Sequence, residues 1–78
     1  MKLLRLPGVL ERTGKSRSGA YADISAGLLP KPVQIGLRAV AFPEHEIDAV
    51  VSARVAGRSQ DEIRELVSRL HAQRKEAA

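Results

Sequence analysis

The chain has 78 residues, no cysteine and a formal net charge of +4 at pH 7. That length allows one small domain and is too short for a doubly wound nucleotide-binding fold. The absence of cysteine excludes disulfides and thiolate metal sites, and no apolar run approaches the roughly 18 residues of a membrane span. Residues 1–7 hold too short an apolar stretch for a secretion signal, so we expect a cytoplasmic protein without a membrane partner.

Charge is distributed unevenly along the chain. Residues 1–40 carry seven basic and two acidic side chains, whereas residues 41–78 carry six basic and seven acidic ones. A basic half joined to a nearly neutral remainder is typical of a polyanion-binding face. An accidental imbalance on a solvated surface explains the same numbers, and charge alone does not decide between the two interpretations.

The tripeptide Gly14-Lys15-Ser16 is also the ending of a nucleotide-binding phosphate loop. Such a loop has four residues between its two glycines, but five separate Gly8 from Gly14. Leu6-Pro7 is a poor end for the buried strand that should precede the loop, because proline cannot donate to a sheet ladder. The pattern instead predicts a turn between two helices.

These two helices have recognisable ends. A proline in the first turn and a glycine after the last favour a short helix over residues 7–13. Ser16 is placed to cap a second helix that runs to about Ala26, and Gly27 is placed to end it. The predicted apolar stripe of this second helix comprises Ala20, Tyr21 and Ile24.

The pattern changes after residue 28. Residues 29–32 hold two prolines and cannot be helical, because each proline biases its predecessor towards extended geometry. Residues 33–42 predict a β-hairpin that turns near Gly36. Pro43 begins a third helix that Gly57 ends. The predicted buried stripe of the third helix comprises Ile47, Val50, Val51 and Val55.

A fourth helix opens with the capping box Ser59-Gln60-Asp61-Glu62. Its apolar side chains follow the spacing of one helix face: Ile63, Leu66, Val67 and Leu70. That stripe is either core within the monomer or a surface shared with a second copy. The segment Gln73–Ala78 is expected to fray.

The order helix, turn, helix, hairpin, helix, helix predicts a mainly α fold, a winged helix-turn-helix. In this arrangement the second helix enters the DNA major groove and the hairpin, or wing, contacts the backbone beside it. We assign residues 1–58 to the DNA-binding domain. Residues 59–78 form a C-terminal helix that packs on this domain or mediates self-association.

Two segments, LPGVLERTGKSRSGAY and LLPKPVQIGLRAVAFPEHEIDAVV, resemble the AlpA family of small phage-type regulators. The resemblance covers about residues 4–55 and implies a winged helix-turn-helix related to excisionases and to the DNA-binding part of MerR proteins. The family pattern is matched at Val9, Thr13, Gly14, Ser16, Arg17, Ser18, Tyr21, Gly27, Pro30, Pro32, Val33, Gly36, Arg38, Glu46 and Ile47. The chain departs from it at Gly19 and Ala22, where larger and basic residues are usual, and at Phe42 and Val50, which replace tryptophans. These departures imply a looser second helix with fewer DNA contacts.

The candidate DNA contacts lie in the turn, the second helix and the wing: Lys15, Ser16, Arg17, Ser18, Tyr21, Lys31 and Arg38. Arg17 and Ser18 occupy the first turn of the second helix, where side chains approach base edges. The positive charge of an arginine is unfavourable near the positive end of a helix. A phosphate or a guanine in contact with Arg17 would offset this unfavourable interaction. Lys15 and Arg38 are expected on phosphates. Tyr21 can donate its hydroxyl to a phosphate, although its place on the apolar stripe favours the core.

Metal-binding and catalytic sites have little support in the sequence. His45-Glu46 begins like a zinc-protease motif, but Ala49 stands where the second histidine is required. His71 lies on a different helix from His45, and no serine has an obvious base beside it. We therefore expect no enzyme activity, no metal, no cofactor and no small-molecule substrate.

The sequence thus favours a phage or mobile-element protein that binds double-stranded DNA as a transcriptional regulator or excision accessory factor. Two or more copies are expected to associate weakly on DNA. The alternative is a protein-interaction module that uses the fourth helix and has lost DNA binding. Salt-dependent DNA binding discriminates between the two.

Overall fold

The computed structural model describes residues 1–76. Its secondary structure comprises three short strands and four helices. In chain order these are β1 (Leu3–Leu4), α1 (Leu6–Thr13), α2 (Arg17–Ser25), β2 (Val33–Gln34), β3 (Val40–Pro43), α3 (Glu44–Val55) and α4 (Gln60–Gln73). The predicted winged helix-turn-helix is confirmed, with α1 and α2 as the helix pair and β2–β3 as the wing.

The strand β1 is an addition to the predicted elements. The sheet order is β1-β3-β2, and both pairings are antiparallel. Leu4 lies opposite Phe42 in the first pairing, and Val33 lies opposite Ala41 in the second. A strand of two residues is too short to show the alternation that identifies strands in a sequence, so it was not predicted. It places the start of the chain beside the root of the wing.

The ends of the helices follow the predicted local signals. Gly14 ends α1 with φ 70°, in the left-handed region that favours glycine. Gly27, with φ 78°, follows α2, and the backbone N–H of Leu28 donates to the carbonyl of Asp23 at 2.8 Å. Leu28 is thereby buried over the last turn of the helix. Gly8 lies inside α1, so the segment between the two glycines is helical rather than a phosphate loop, and residues 14–16 form the turn.

The capping box of α4 is also confirmed. The Ser59 hydroxyl accepts from the backbone N–H of Glu62 at 3.2 Å, and the Glu62 carboxylate accepts from the backbone N–H of Ser59 at 3.0 Å. The hydrogen bond from the Ser59 backbone lowers the pKa of Glu62.

One hydrophobic core joins the sheet to all four helices. It comprises Leu4, Val9, Ala20, Leu28, Leu29, Phe42, Ile47, Val50, Ile63, Val67 and Leu70. Most of the α4 stripe is therefore covered within the monomer, and Leu66 is half-buried at its edge. On α3 the predicted stripe is wrong at Val55, which is 84% exposed. At 3.6 residues per turn Val55 lies about 140° round the helix from Val50.

The end of α4 contacts the linker between α2 and the wing. The backbone N–H of Lys31 donates to Nε2 of His71 at 3.0 Å. The guanidinium of Arg74 donates to the carbonyl of Lys31 at 2.7 Å and to both carboxylate oxygens of Glu46. We call these four residues the C-terminal clasp. The prediction that the chain frays from Gln73 is wrong at Arg74.

Residues 77–78 of that predicted fraying segment lie outside the described residues. Among residues 1–76, the longest apolar helical stretch falls short of what a bilayer crossing requires.

Candidate nucleic-acid interface

The turn between α1 and α2 is held by side-chain hydrogen bonds to the backbone. Thr13 donates to the carbonyl of Val9 at 2.8 Å and accepts from the backbone N–H of Lys15 at 3.3 Å. Ser16 caps α2 by accepting from the backbone N–H of Gly19 at 3.1 Å, as predicted. These bonds fix the direction in which α2 leaves the turn.

The glycine at position 19 has a local explanation. A Cβ added there would lie 3.1 Å from the Ser16 hydroxyl, closer than most side chains approach. The missing side chain therefore leaves room for the cap, and α2 is continuous through this position.

Arg17 and Ser18 lie at the exposed start of α2. Within residues 1–76 the Arg17 guanidinium forms no ion pair. The unsatisfied N–H groups at a helix start carry partial positive charge, so a cation at this position is unfavourable until an anion or an electronegative base edge approaches. The geometry suits contact with a nucleic acid.

Lys15 has a partner that the sequence did not suggest. Its ammonium lies 3.0 Å from a carboxylate oxygen of Asp23, and the guanidinium of Arg54 lies 3.5 Å from the same oxygen. The positive charge of Lys15 is therefore partly neutralised within the protein. Because Asp23 also has Arg54, Lys15 can turn to a phosphate without leaving the carboxylate unpaired.

Tyr21 is more accessible than its place in the predicted stripe indicated. Its side chain is 49% exposed, whereas Ala20 is fully buried and Ile24 partly buried. Successive helical residues point about 100° apart, so Tyr21 falls beside the buried face rather than on it. The assignment of Tyr21 mainly to the core is wrong, and its exposure is compatible with contact through the hydroxyl.

The wing presents one basic and one apolar side chain at its tip. The loop between β2 and β3 is closed by the backbone N–H of Ile35, which donates to the carbonyl of Ala39 at 2.9 Å. Arg38 is exposed in this loop, and the neighbouring Leu37 is 93% exposed. Leu37 was not among the predicted contacts. The feature that could have identified it is a large apolar residue directly after the glycine of a predicted turn.

Comparisons with known proteins identify the family of this chain. Residues 2–55 match the family described as prophage CP4-57 regulatory protein (AlpA). The chain belongs to the AlpA family. A similar protein is the uncharacterized protein ORF88 of Enterobacteria phage P4, which is 37% identical over 59 residues, covering 76% of this chain and 67% of that protein. No solved structure matches the chain.

The AlpA match ends where α3 ends, so α4 and the clasp residues His71 and Arg74 lie outside the region matched. The predicted resemblance is confirmed in identity and in extent. The chain is thus related to a family of prophage regulatory proteins.

Ion pairs divide the basic side chains of the first forty residues of this AlpA-family chain into two groups. Lys2, Arg12 and Lys15 pair with acidic side chains. Arg12 bridges α1 to Glu44 and Asp48 of α3 at 2.7 and 3.0 Å, and its hydrogen bond lowers the pKa of Glu44. The basic residues of the first forty that make no ion pair within residues 1–76 are Arg5, Arg17, Lys31 and Arg38.

Arg5 is the member of this second group that sequence reasoning did not select. It is exposed and immediately precedes α1. Arg17 lies at the start of α2, Lys31 in the linker and Arg38 in the wing, which are the elements expected to face DNA. Among the same 76 residues, acidic, histidine and cysteine side chains form no group of three or more that could hold a metal ion.

Proposed function

We propose that this protein binds duplex DNA in the major groove through α2 and acts as a phage or mobile-element regulator. The observation that carries the proposal is the exposed, ion-pair-free Arg17 beside Ser18 at the start of a rigidly capped helix. Membership of a family of prophage regulatory proteins supports a regulatory role for such binding.

Two kinds of contact would contribute: one selects the DNA sequence, and the other positions the protein on the duplex. Arg17 can donate two hydrogen bonds to the O6 and N7 atoms of guanine, which distinguishes this base from the others. Arg38 on the wing and Lys31 in the linker are suited to phosphates, which set position without selecting sequence. Ser18 is suited to a base edge beside Arg17. Ser16, whose hydroxyl oxygen lies 3.4 Å from that of Ser18, and Tyr21 are the further candidates for backbone contacts.

Lys15 has a distinct part in this proposal. In the free protein it pairs with Asp23, so it must exchange one anion for another on binding DNA. That exchange adds less favourable energy than a contact from a cation without a partner. We therefore rank Lys15 below Arg17 and Arg38 in its contribution to affinity.

Within this proposal the protein acts either as a transcriptional regulator or as an accessory factor for excision. The protein-interaction alternative through α4 has less support, because Ile63, Val67 and Leu70 are buried in the core of the monomer.

The test is a selection of genomic fragments bound by the full chain, followed by titration of one selected duplex at several salt concentrations. Counterion release predicts that the logarithm of the association constant falls linearly with the logarithm of the salt concentration. The matched control is Arg69→Ala, which removes an exposed arginine from α4 and should bind like the wild type. Binding that is absent, or independent of salt, would exclude the proposal.

A further inference from the structure

Leu37 is the most exposed large apolar side chain of residues 1–76, at 93%. It stands at the tip of the wing, with Ile35 and Val40, 47% and 43% exposed, on the two sides of the same loop. A leucine in this position adds nothing to the core. Exposed apolar groups grouped at one projecting tip commonly mark a contact surface.

The tip is held in shape without any partner. The side-chain amide of Gln34 donates to the carbonyl of Leu37 at 3.4 Å, and the Ile35 N–H donates to the carbonyl of Ala39 at 2.9 Å. A Cβ at Gly36 would meet only the Cβ of Ala39, at 3.6 Å. The apolar side chain is thus presented by a hydrogen-bonded loop, which reduces the entropy that binding must overcome.

The charge next to Leu37 indicates the kind of surface it meets. Arg38 follows it directly, is exposed, and makes no ion pair with any residue that the structure describes. An apolar side chain beside an unpaired arginine suits the minor groove of DNA. Leucine is among the side chains that enter between base steps there, and arginine pairs with the phosphates that border the groove.

We infer that Leu37 inserts into the minor groove beside the major-groove contact of α2, partly unstacks one base step and kinks the duplex, while Arg38 holds the adjacent backbone. The inference rests on the proposed DNA binding and adds to it the residue that deforms the DNA.

The experiment uses the full chain and a duplex taken from the genomic selection. Fluorophores at the two duplex ends report the bend by energy transfer, and 2-aminopurine placed at successive steps reports unstacking. Wild type should bend the duplex by roughly 20–90° and raise 2-aminopurine fluorescence at one step. Leu37→Ala should abolish both signals and weaken binding about tenfold or less, because the lost contact also removes the unstacking cost. Leu37→Phe, which keeps a large apolar side chain, should retain them.

The matched control is Val55→Ala, which truncates another highly exposed apolar side chain, at the end of α3. It should bend and bind DNA like the wild type. Circular dichroism should show all four proteins equally folded.

The outcomes separate this inference from the proposal on which it rests. If the wild type binds no duplex, the proposed function fails and the inference fails with it. If the wild type binds in a salt-dependent manner but Leu37→Ala bends and unstacks the duplex equally, Leu37 does not insert between base pairs. The proposed DNA binding is then unaffected. If Leu37→Ala lowers the molecular mass measured by sedimentation without DNA, the tip contacts a second copy, and the inference is overturned.

Discussion

The guanidinium of Arg74 holds both carboxylate oxygens of Glu46, at 2.9 and 2.6 Å. Glu46 lies in the first turn of α3 and is 1% exposed, whereas Arg74 follows the last residue of α4. The same guanidinium donates to the carbonyl of Lys31, between α2 and the wing. A residue outside the family match therefore positions the linker that sets the wing relative to α2.

The first prediction concerns this ion pair. Arg74→Ala should lower the free energy of unfolding by about 3–5 kcal/mol, because it leaves a buried carboxylate without its counter-charge. Urea denaturation followed by circular dichroism measures the change.

Replacing both partners is the informative control. In the double variant Glu46→Met with Arg74→Met, most of the stability should return, since no buried charge remains. Arg69→Ala, a truncation on the exposed face of α4, should change stability by less than about 0.5 kcal/mol. An Arg74→Ala protein as stable as wild type would show that the pair contributes nothing.

The second prediction concerns pH. Burial, and to a smaller extent the positive charge of Arg74, lower the pKa of His71 below its ordinary 6.5. Neutral Nε2 accepts the hydrogen bond from the Lys31 backbone, and protonation removes that acceptor. The unfolded chain therefore binds more protons than the folded one as the pH falls. The stability that neutral His71 contributes is complete above pH 6.5 and is lost as pH falls through the lower pKa of the folded state.

Unfolding titrations between about pH 7.5 and 5.5 test this, since histidine is the side chain that ordinarily titrates in that range. His71→Gln keeps an acceptor without titrating, so its stability should depend less on pH than that of the wild type. The lowered pKa values of Glu44 and Glu62 affect stability mainly below the tested range, because these carboxylates ordinarily titrate around 4.5. Equal pH dependence of the two proteins would refute the role of His71.

The features that were predicted correctly depend on residues that are close together in the chain. The caps at Ser16 and Ser59 and the stop at Gly14 depend on residues three or four positions apart, so their outcome is visible in the sequence. The exposure of Arg17 and Ser18 follows from their place directly after the cap, where the helix has just begun.

Contacts between distant residues account for what the sequence missed. Glu46 and Arg74 are 28 positions apart, and neither has a local feature that identifies the other. The Lys15–Asp23 pair joins the turn to the far end of α2, a separation outside the spacings at which helical side chains face each other. The first pair depends on the packing of α4 against α3, and the second on the course of the turn beside α2.

The third prediction separates sequence recognition from general affinity. Arg17→Ala should cost about 1–3 kcal/mol on a selected site and relax the preference at one base pair. It should leave the stability of the free protein unchanged or slightly raised, because a cation at the positive helix end is removed. Competition binding with single-base variants of the site measures the preference.

Lys15→Ala is the companion variant. It should weaken binding to all sequences alike and flatten the salt dependence, with an effect limited by the Asp23 pair that wild type must break. If Arg17→Ala and wild type bind every duplex equally, α2 does not select the sequence.

The last prediction concerns assembly on DNA. A single winged module contacts few base pairs, so useful specificity requires several copies side by side or on paired half-sites. Ile63 and Leu70 are buried and cannot supply the contact, but Leu66 is half-buried at the groove between α3 and α4. Leu66→Glu should therefore fold, lose cooperative binding on a long duplex and keep its affinity for a short single site. Ile63→Glu should instead unfold, because it places an unpaired charge in the core. Circular dichroism establishes folding, and binding isotherms on the two duplex lengths measure cooperativity. A folded Leu66→Glu protein with undiminished cooperativity would place the contact between copies elsewhere.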